Sequence, residues 1–119
     1  MSFILHSRNR TLTVKVTGEL DLVTAHDFRE MVDRAMDEII GDNLIIDLAK
    51  VTFIDSSGLG VILGRFRKIK AKGGQMILVG LNANIKRILE LSGILSFIPV
   101  CNSEADAWKL IAKKSYKWA

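Results

Sequence analysis

The strongest constraint on the fold is a run of five residues, Leu-Ile-Ile-Asp-Leu at 44–48, in which four side chains are large and aliphatic. A strand with one solvated face alternates apolar and polar residues, and this run does not. Near-continuous apolar runs of this length are typical of strands that are covered on both faces of a parallel sheet. A second run of this kind spans residues 76–79. The sequence therefore predicts a sheet with helices packed against it.

Strand and helix patterns alternate around these two runs. Residues 12–17 alternate apolar and polar, which indicates a half-buried strand, and residues 3–5 are expected to pair with it. Apolar residues at helical spacing predict four helices, the first of them capped at Thr24 with Asp27 in the capping-box position. The resulting order, β-β-α-β-α-β-α-β-α, predicts an α/β fold with parallel strand pairs.

Glycine and proline mark where these elements end. Gly41, Gly73 and Gly93 each follow a predicted helix, as expected for residues that terminate helices. A last strand is predicted at 97–100, where Pro99 favours a position at the edge of the sheet.

Length and composition indicate one folded domain. The chain has 119 residues, 49% of them apolar, which is too many for a disordered chain. We expect a single domain over residues 1–119, with a core at about 3–111 and a short basic tail at 113–119. The net charge of +4 permits an acidic partner or a nucleotide but indicates neither.

Several classes of site are excluded or disfavoured by what the chain contains. One cysteine, Cys101, cannot form an internal disulfide, and together with His6 and His26 it cannot complete the four-ligand set of a structural zinc site. We therefore expect neither a metal nor a cofactor. No segment matches a membrane span or a signal peptide, which predicts a cytoplasmic protein without a membrane partner. Direct nucleic-acid binding is not expected, because no recognition motif is present.

The distinctive segment is Asp55-Ser56-Ser57-Gly58-Leu59-Gly60, where a strand ends and a helix begins within four residues. The carboxyl ends of strands in open α/β sheets are where ligands and partners usually bind. Asp and Ser are also preferred helix caps, so a purely structural role stays open for both. Gly60, like the glycines before and after it in the helix, weakens the helix, which suits either tight packing or the close approach of a partner.

The segment from Asp55 to Arg65 resembles the signature of the STAS domain of anti-sigma factor antagonists, most of all those of the sporulation sigma-F pathway. Weaker matches lie at 18–21, 72–76 and 86–93, so the resemblance covers roughly residues 3–111. It implies a small mixed sheet with helices largely on one face.

The resemblance also implies a mechanism. The unphosphorylated protein would bind an anti-sigma factor that is itself a serine kinase, and this binding would release the sigma factor. The kinase would phosphorylate Ser56, the complex would dissociate, and a PP2C-type phosphatase would reverse the step. Asp55 would then either orient the Ser56 hydroxyl for the kinase or cap the helix while it contacts the partner, and the second role is favoured. No catalytic residue is expected. The residues expected to contact the partner are Glu19, Asp21, Asp55, Ser57, Gly58, Gly60 and Arg65.

Arg65, Lys68 and Lys72 recur along the second helix at a spacing that predicts a charged face opposite its apolar side. A solvated face explains this pattern, and contact with an acidic patch on the partner is the alternative.

The sequence offers three alternatives to the function of an anti-sigma factor antagonist. A serine hydrolase would need a Gly-x-Ser-x-Gly motif, and the residues around Ser56 differ from it. A receiver domain would use Asp47 or Asp55 as the phosphate acceptor, yet no lysine follows the strand at 76–79. The alternative that stays closest is a STAS domain of another stress-signalling or nucleotide-sensing system.

Overall fold

A computed structural model describes residues 1–39 and 41–115, so most of the expected basic tail lies outside the described residues. The element order follows the predicted one. In chain order, the elements are β1 (Ser2–Arg8), β2 (Thr11–Leu20), α1 (Ala25–Glu38), β3 (Asn43–Ile54), α2 (Ser56–Ala71), β4 (Met76–Val79), α3 (Ala83–Ser92), a 3-10 turn (Ile94–Ser96), β5 (Val100–Cys101) and α4 (Glu104–Ser115).

The five strands form one mixed sheet in the order β1-β2-β3-β4-β5. The first two strands are antiparallel, and the remaining neighbours run parallel. Strand β3 lies in the centre, and Leu44, Ile45 and Ile46 on its two faces are fully buried. The prediction drawn from the run at 44–48 is therefore confirmed.

Three of the four helices cover one face of the sheet. Phe28 of α1, Ile62 of α2 and Ile85 of α3 join one apolar cluster with alternate residues of β2, β3 and β4. On the opposite face, α4 covers a smaller cluster that contains Ile45 of β3 and Ile77 of β4. The expected arrangement, with helices largely on one face, is confirmed.

The predicted strand at 97–100 is wrong for all but its last residue. Residues 94–96 form a 3-10 turn, and β5 begins only at Val100, directly after Pro99. Phe97 instead packs its ring against Phe66 of α2, with ring centroids 5.5 Å apart. The apolar character of this segment therefore serves packing against a helix rather than strand pairing. Gly93 ends α3 in the left-handed conformation, with φ of 83°, as its position in the sequence predicts.

The carboxyl ends of β2 and β3 lie side by side and fix the start of α2. Leu20 pairs with Ile54, and the backbone N–H of Asp55 donates to the carbonyl of Leu20 at 3.3 Å. A Cβ at Gly58 would lie 2.2 Å from that same carbonyl oxygen, so only glycine lets the first turn of α2 approach β2 this closely. The start of α2 is thereby held against the end of β2.

Within the part of the chain that the structure describes, no helix is long and apolar enough to cross a membrane.

We predict opposite effects for the same substitution at two glycines of α2. Gly58→Ala should lower the free energy of unfolding by about 1–3 kcal/mol, because the new methyl group displaces backbone. Gly64→Ala should raise it by about 0.5–1 kcal/mol, because a Cβ there meets no atom within 4 Å and alanine favours the helix. Urea unfolding at 25 °C measures both variants. Equal effects would contradict the packing role of Gly58.

Candidate functional site

Ser56 lies at the expected junction, as the first residue of α2 and exposed to solvent. The helix starts where β3 ends, so Ser56 lies at the carboxyl edge of the sheet. The turn at 18–21 comes close to this serine, because Leu20 pairs with Ile54 and its carbonyl lies against Gly58. The fold therefore brings Glu19 and Asp21 to the same end of the molecule as Ser56.

The half-buried carboxylate of Asp55 joins two segments at this junction. Its Oδ1 accepts hydrogen bonds from the backbone N–H groups of Ser57 at 2.9 Å and Gly58 at 3.0 Å, which caps α2. Its Oδ2 accepts a third, from the backbone N–H of Leu22 at 3.0 Å. One side chain thus caps α2 and holds the loop between β2 and α1 beside it.

Hydrogen bonds made by the side chains of Asp21 and Thr24 stabilise this loop. Asp21 Oδ1 accepts from the backbone N–H groups of Val23 at 3.0 Å and Thr24 at 3.1 Å. The Thr24 hydroxyl donates to the carbonyl of Glu19 and accepts from the backbone N–H of Asp21. Thr24 therefore does not cap α1 through its side chain, and the predicted capping box with Asp27 is wrong. The hydroxyl is engaged within the loop instead.

Hydrogen bonds hold the pKa of the Asp21 carboxyl below its usual range, the largest contribution coming from the backbone N–H of Thr24, while burial opposes the shift. The charged form is therefore favoured in the folded chain. Its contribution to loop stability is complete above the usual aspartate pKa and is lost only as the pH falls through the lowered value.

The free donors that a helix N-terminus usually offers to an anion are largely in use at this site. Ser57 and Gly58 donate to the Asp55 carboxylate, and the N–H of Leu59 donates to the Asp55 carbonyl at 2.9 Å. A phosphate on the first residue of a helix would ordinarily find backbone donors nearby. Because these three donors are occupied, such a phosphate could use them only by displacing an existing hydrogen bond.

The other expected contact residues divide by exposure. Glu19 and Gly60 are exposed, and Ser57 is half-buried. Gly60 lies one helical turn beyond Ser56 on the same side of α2, and a Cβ there would meet no atom within 4 Å. Gly58, in contrast, is buried against β2, so its glycine is explained by packing. Tight packing therefore does not explain Gly60.

Arg65 does not lie where the sequence pattern placed it. Its side chain is only 9% exposed and faces α1, where its Nε lies 3.1 Å from Asp33 Oδ1. The contact is ionic rather than a well-directed hydrogen bond. Burial lowers the pKa of the guanidinium, which Asp33 partly offsets and Arg29 reinforces. The prediction of a solvated face at Arg65 is wrong, and we assign this residue to the packing of α1 against α2.

Sequence reasoning missed the residues that act through long-range contacts. Asp33 forms ion pairs with both Arg65 and Lys68. The Nζ of Lys68 lies 3.3 Å from Asp33 Oδ2. The backbone N–H of Leu22 is 33 positions from its acceptor Asp55. No local pattern marks either contact, because both depend on how the chain folds back on itself.

Among the described residues, no group of three or more His, Cys, Asp or Glu side chains is arranged to hold a metal ion. His26 lies on α1, where its ring contacts Glu30 and Arg29 at 3.3 and 3.1 Å.

Replacing one oxygen of Asp55 tests its double role. Asp55→Asn keeps one acceptor oxygen, enough to cap α2 or to hold Leu22 but not to do both as the carboxylate does. We expect the free energy of unfolding to fall by about 1–2 kcal/mol and the amide of Leu22 to exchange faster with solvent. Urea unfolding and hydrogen exchange measure the two effects. Glu90→Gln, an exposed carboxylate on α3, is the matched control. Unchanged exchange at Leu22 would contradict the role of Oδ2.

Comparison with known proteins gives this site a family context. The STAS domain family model matches residues 2–107. The anti-sigma F factor antagonist of Paenibacillus polymyxa is 38% identical over 96 residues, which cover 81% of this chain and 82% of that protein. The anti-sigma-B factor antagonist of Bacillus subtilis is 32% identical over 89 residues, covering 75% and 80%.

Solved structures agree with these relatives. The unphosphorylated form of the anti-sigma factor antagonist SpoIIAA superposes with a TM-score of 0.74 at 24% identity, covering 93% of this chain and 98% of that one. The phosphorylated form of the Bacillus cell fate determinant SpoIIAA gives 0.71 at 26% identity, covering 92% and 99%. The family model and the antagonist from Paenibacillus each cover most of this chain, and the chain belongs to the STAS-domain family of anti-sigma factor antagonists.

Proposed function

We propose that this protein binds a serine-kinase anti-sigma factor, so that the sigma factor is released, and that phosphorylation of Ser56 abolishes the binding. The observation that carries the proposal is the exposed position of Ser56 as the first residue of α2, directly after a carboxylate whose oxygens already bind backbone N–H groups. Family membership supports the anti-sigma factor as the partner.

The docking surface of this proposal consists of Glu19, Asp21, Asp55, Ser56, Ser57 and Gly60. The first three carry carboxylates at one end of the sheet. A phosphate on Ser56 adds a charge of about −1.5 to −2 next to Asp55. A partner that covers Ser56 would have to remove water from this charge without help from the occupied donors of α2.

The magnitude of this penalty suits a switch. Poorly matched charges across an interface cost several kcal/mol. Moving a binding equilibrium from 99:1 to 1:99 takes about 5.5 kcal/mol. A single phosphate can therefore supply most of the change without refolding the domain, provided that Ser56 is covered in the complex.

This mechanism makes the protein a binding module rather than an enzyme, and it needs neither a cofactor nor direct contact with nucleic acid. The partner supplies ATP and the phosphoryl transfer, and a PP2C-type phosphatase restores the binding form. The proposed mechanism implies a cytoplasmic protein.

The sigma-F pathway is the stronger candidate for the partner's identity. The antagonist from Paenibacillus polymyxa named for sigma F is 38% identical to this chain, against 32% for the sigma-B antagonist of Bacillus subtilis. The sigma-B relative supports a stress-signalling system as the second candidate. Titration with the anti-sigma factors of both pathways decides between them.

Phosphorylation in vitro tests the mechanism. The purified protein is incubated with the anti-sigma factor of its own organism and ATP, and the phosphate is located by mass spectrometry. We expect phosphate on Ser56, none in Ser56→Ala, and normal labelling in the control Ser7→Ala, which alters an exposed serine on β1 outside the docking surface. Isothermal titration should show that phosphorylation lowers affinity for the kinase at least about 100-fold. Phosphate elsewhere, or equal affinity of the two forms, would contradict the proposal.

Gly60→Ala tests whether the surface along α2 is covered by the partner. The substitution should raise the free energy of unfolding by about 0.5–1 kcal/mol, because Gly60 is exposed and its added Cβ meets nothing. We expect it nonetheless to weaken binding of the anti-sigma factor, because the methyl group enters the docking surface. Gly64→Ala, one turn further from Ser56, is the control that gains stability and keeps its affinity. If Gly60→Ala binds the anti-sigma factor with unchanged affinity, Gly60 is not part of the docking surface.

A further inference from the structure

The loop between β2 and α1 displays two adjacent aliphatic side chains to solvent. Leu22 is 76% exposed and Val23 is 82% exposed, which makes Val23 the most exposed large hydrophobic residue of the described chain. Single exposed apolar residues are common on protein surfaces, but contiguous ones mark interaction sites more often. This pair lies next to the docking surface, because Leu22 binds Asp55.

The backbone of this loop is held in place at every position. The N–H groups of five consecutive residues, Asp21 to Ala25, all donate hydrogen bonds. Their acceptors are the side chains of Asp55, Asp21 and Thr24 and the carbonyl of Asp21. A loop fixed in this way presents its side chains in one arrangement, so little conformational entropy is lost when a partner covers them.

The tie between Leu22 and Asp55 links this pair to the phosphorylation site. Asp55 Oδ2 holds the N–H of Leu22, while Oδ1 holds the first turn of the helix that begins with Ser56. The position of the aliphatic pair relative to the serine is therefore fixed by this side chain together with the pairing of Leu20 with Ile54. A partner that contacts both the aliphatic pair and Ser56 would therefore bind this surface in one defined position.

We infer that Leu22 and Val23 form an apolar anchor that enters an apolar pocket of the serine-kinase anti-sigma factor and strengthens its binding beside Ser56. The inference rests on the proposed function and names the contact that selects the partner. Glu19, Asp21 and Asp55 place three carboxylates at the same end of the sheet as the serine, so the polar part of the surface carries charge, whereas Leu22 and Val23 supply the apolar area that a stable contact needs.

The side chains can be removed without disturbing the loop. Alanine keeps both backbone N–H groups, so the hydrogen bonds to Asp55 and Asp21 persist in the double variant Leu22→Ala/Val23→Ala. The melting temperature should stay unchanged, because neither side chain is buried in the free protein. Leu91→Ala is the matched control, since Leu91 is 79% exposed but lies on α3.

Isothermal titration with the anti-sigma factor, and phosphorylation kinetics, test the inference. The double variant should bind about 10- to 100-fold more weakly. It should be phosphorylated with a raised KM and a nearly unchanged kcat, because the serine itself is not altered. Leu91→Ala should behave like the unsubstituted protein in both assays.

The outcomes separate this inference from the proposed function. If the unsubstituted protein neither binds the kinase nor is phosphorylated on Ser56, the proposed function fails. If it does both and the double variant matches it, only the anchor is overturned. A dimer of the unsubstituted protein in analytical ultracentrifugation that the double variant abolishes, with kinase binding intact, would assign the pair to a second copy and equally overturn the inference.

Discussion

The carboxylate of Asp55 is the interaction on which the arrangement around Ser56 depends. Its two oxygens accept three backbone hydrogen bonds, two from the first turn of α2 and one from the loop before α1. These segments are far apart in the sequence and meet because β2 and β3 are parallel neighbours that end at the same edge of the sheet. A hydroxyl or an amide at this position could satisfy one segment. A carboxylate has enough acceptor capacity for both.

Under the proposed function, the same contact would give a phosphate on Ser56 its effect. A helix N-terminus normally attracts anions, because its first N–H groups are unpaired. In this chain Asp55 already takes the donors of Ser57 and Gly58, so an added phosphate gains little from the helix. A charge that the protein itself does not neutralise stays costly to cover. The proposed switch would therefore need no movement of the backbone, only a partner that buries Ser56.

The sequence predicted what depends on local pattern and on the end points of elements. The doubly covered strand at 44–48, the glycine that ends α3 and the helix start at Ser56 all follow from a few neighbouring residues. The prediction that Arg65 lies on a solvated face is wrong, because the spacing of charges along one helix does not reveal Asp33, which lies 32 positions away on the adjacent helix. The predicted helix cap at Thr24 is wrong for a related reason, because the sequence does not show which group its hydroxyl binds. Its hydroxyl can cap a helix or bind a nearby carbonyl, and only the folded loop decides between them.

The glycines of α2 separate two requirements that look alike in the sequence. Gly58 is glycine because the carbonyl of Leu20 occupies the space that a Cβ would need. Gly60 has open space around it and so weakens the helix without any gain in packing. A cost of this kind on an exposed face next to Ser56 is intelligible if another protein must come close to the helix backbone. Under the proposed function, Gly58 is required for packing within the fold and Gly60 for contact with the partner, although the two residues lie within one helical turn.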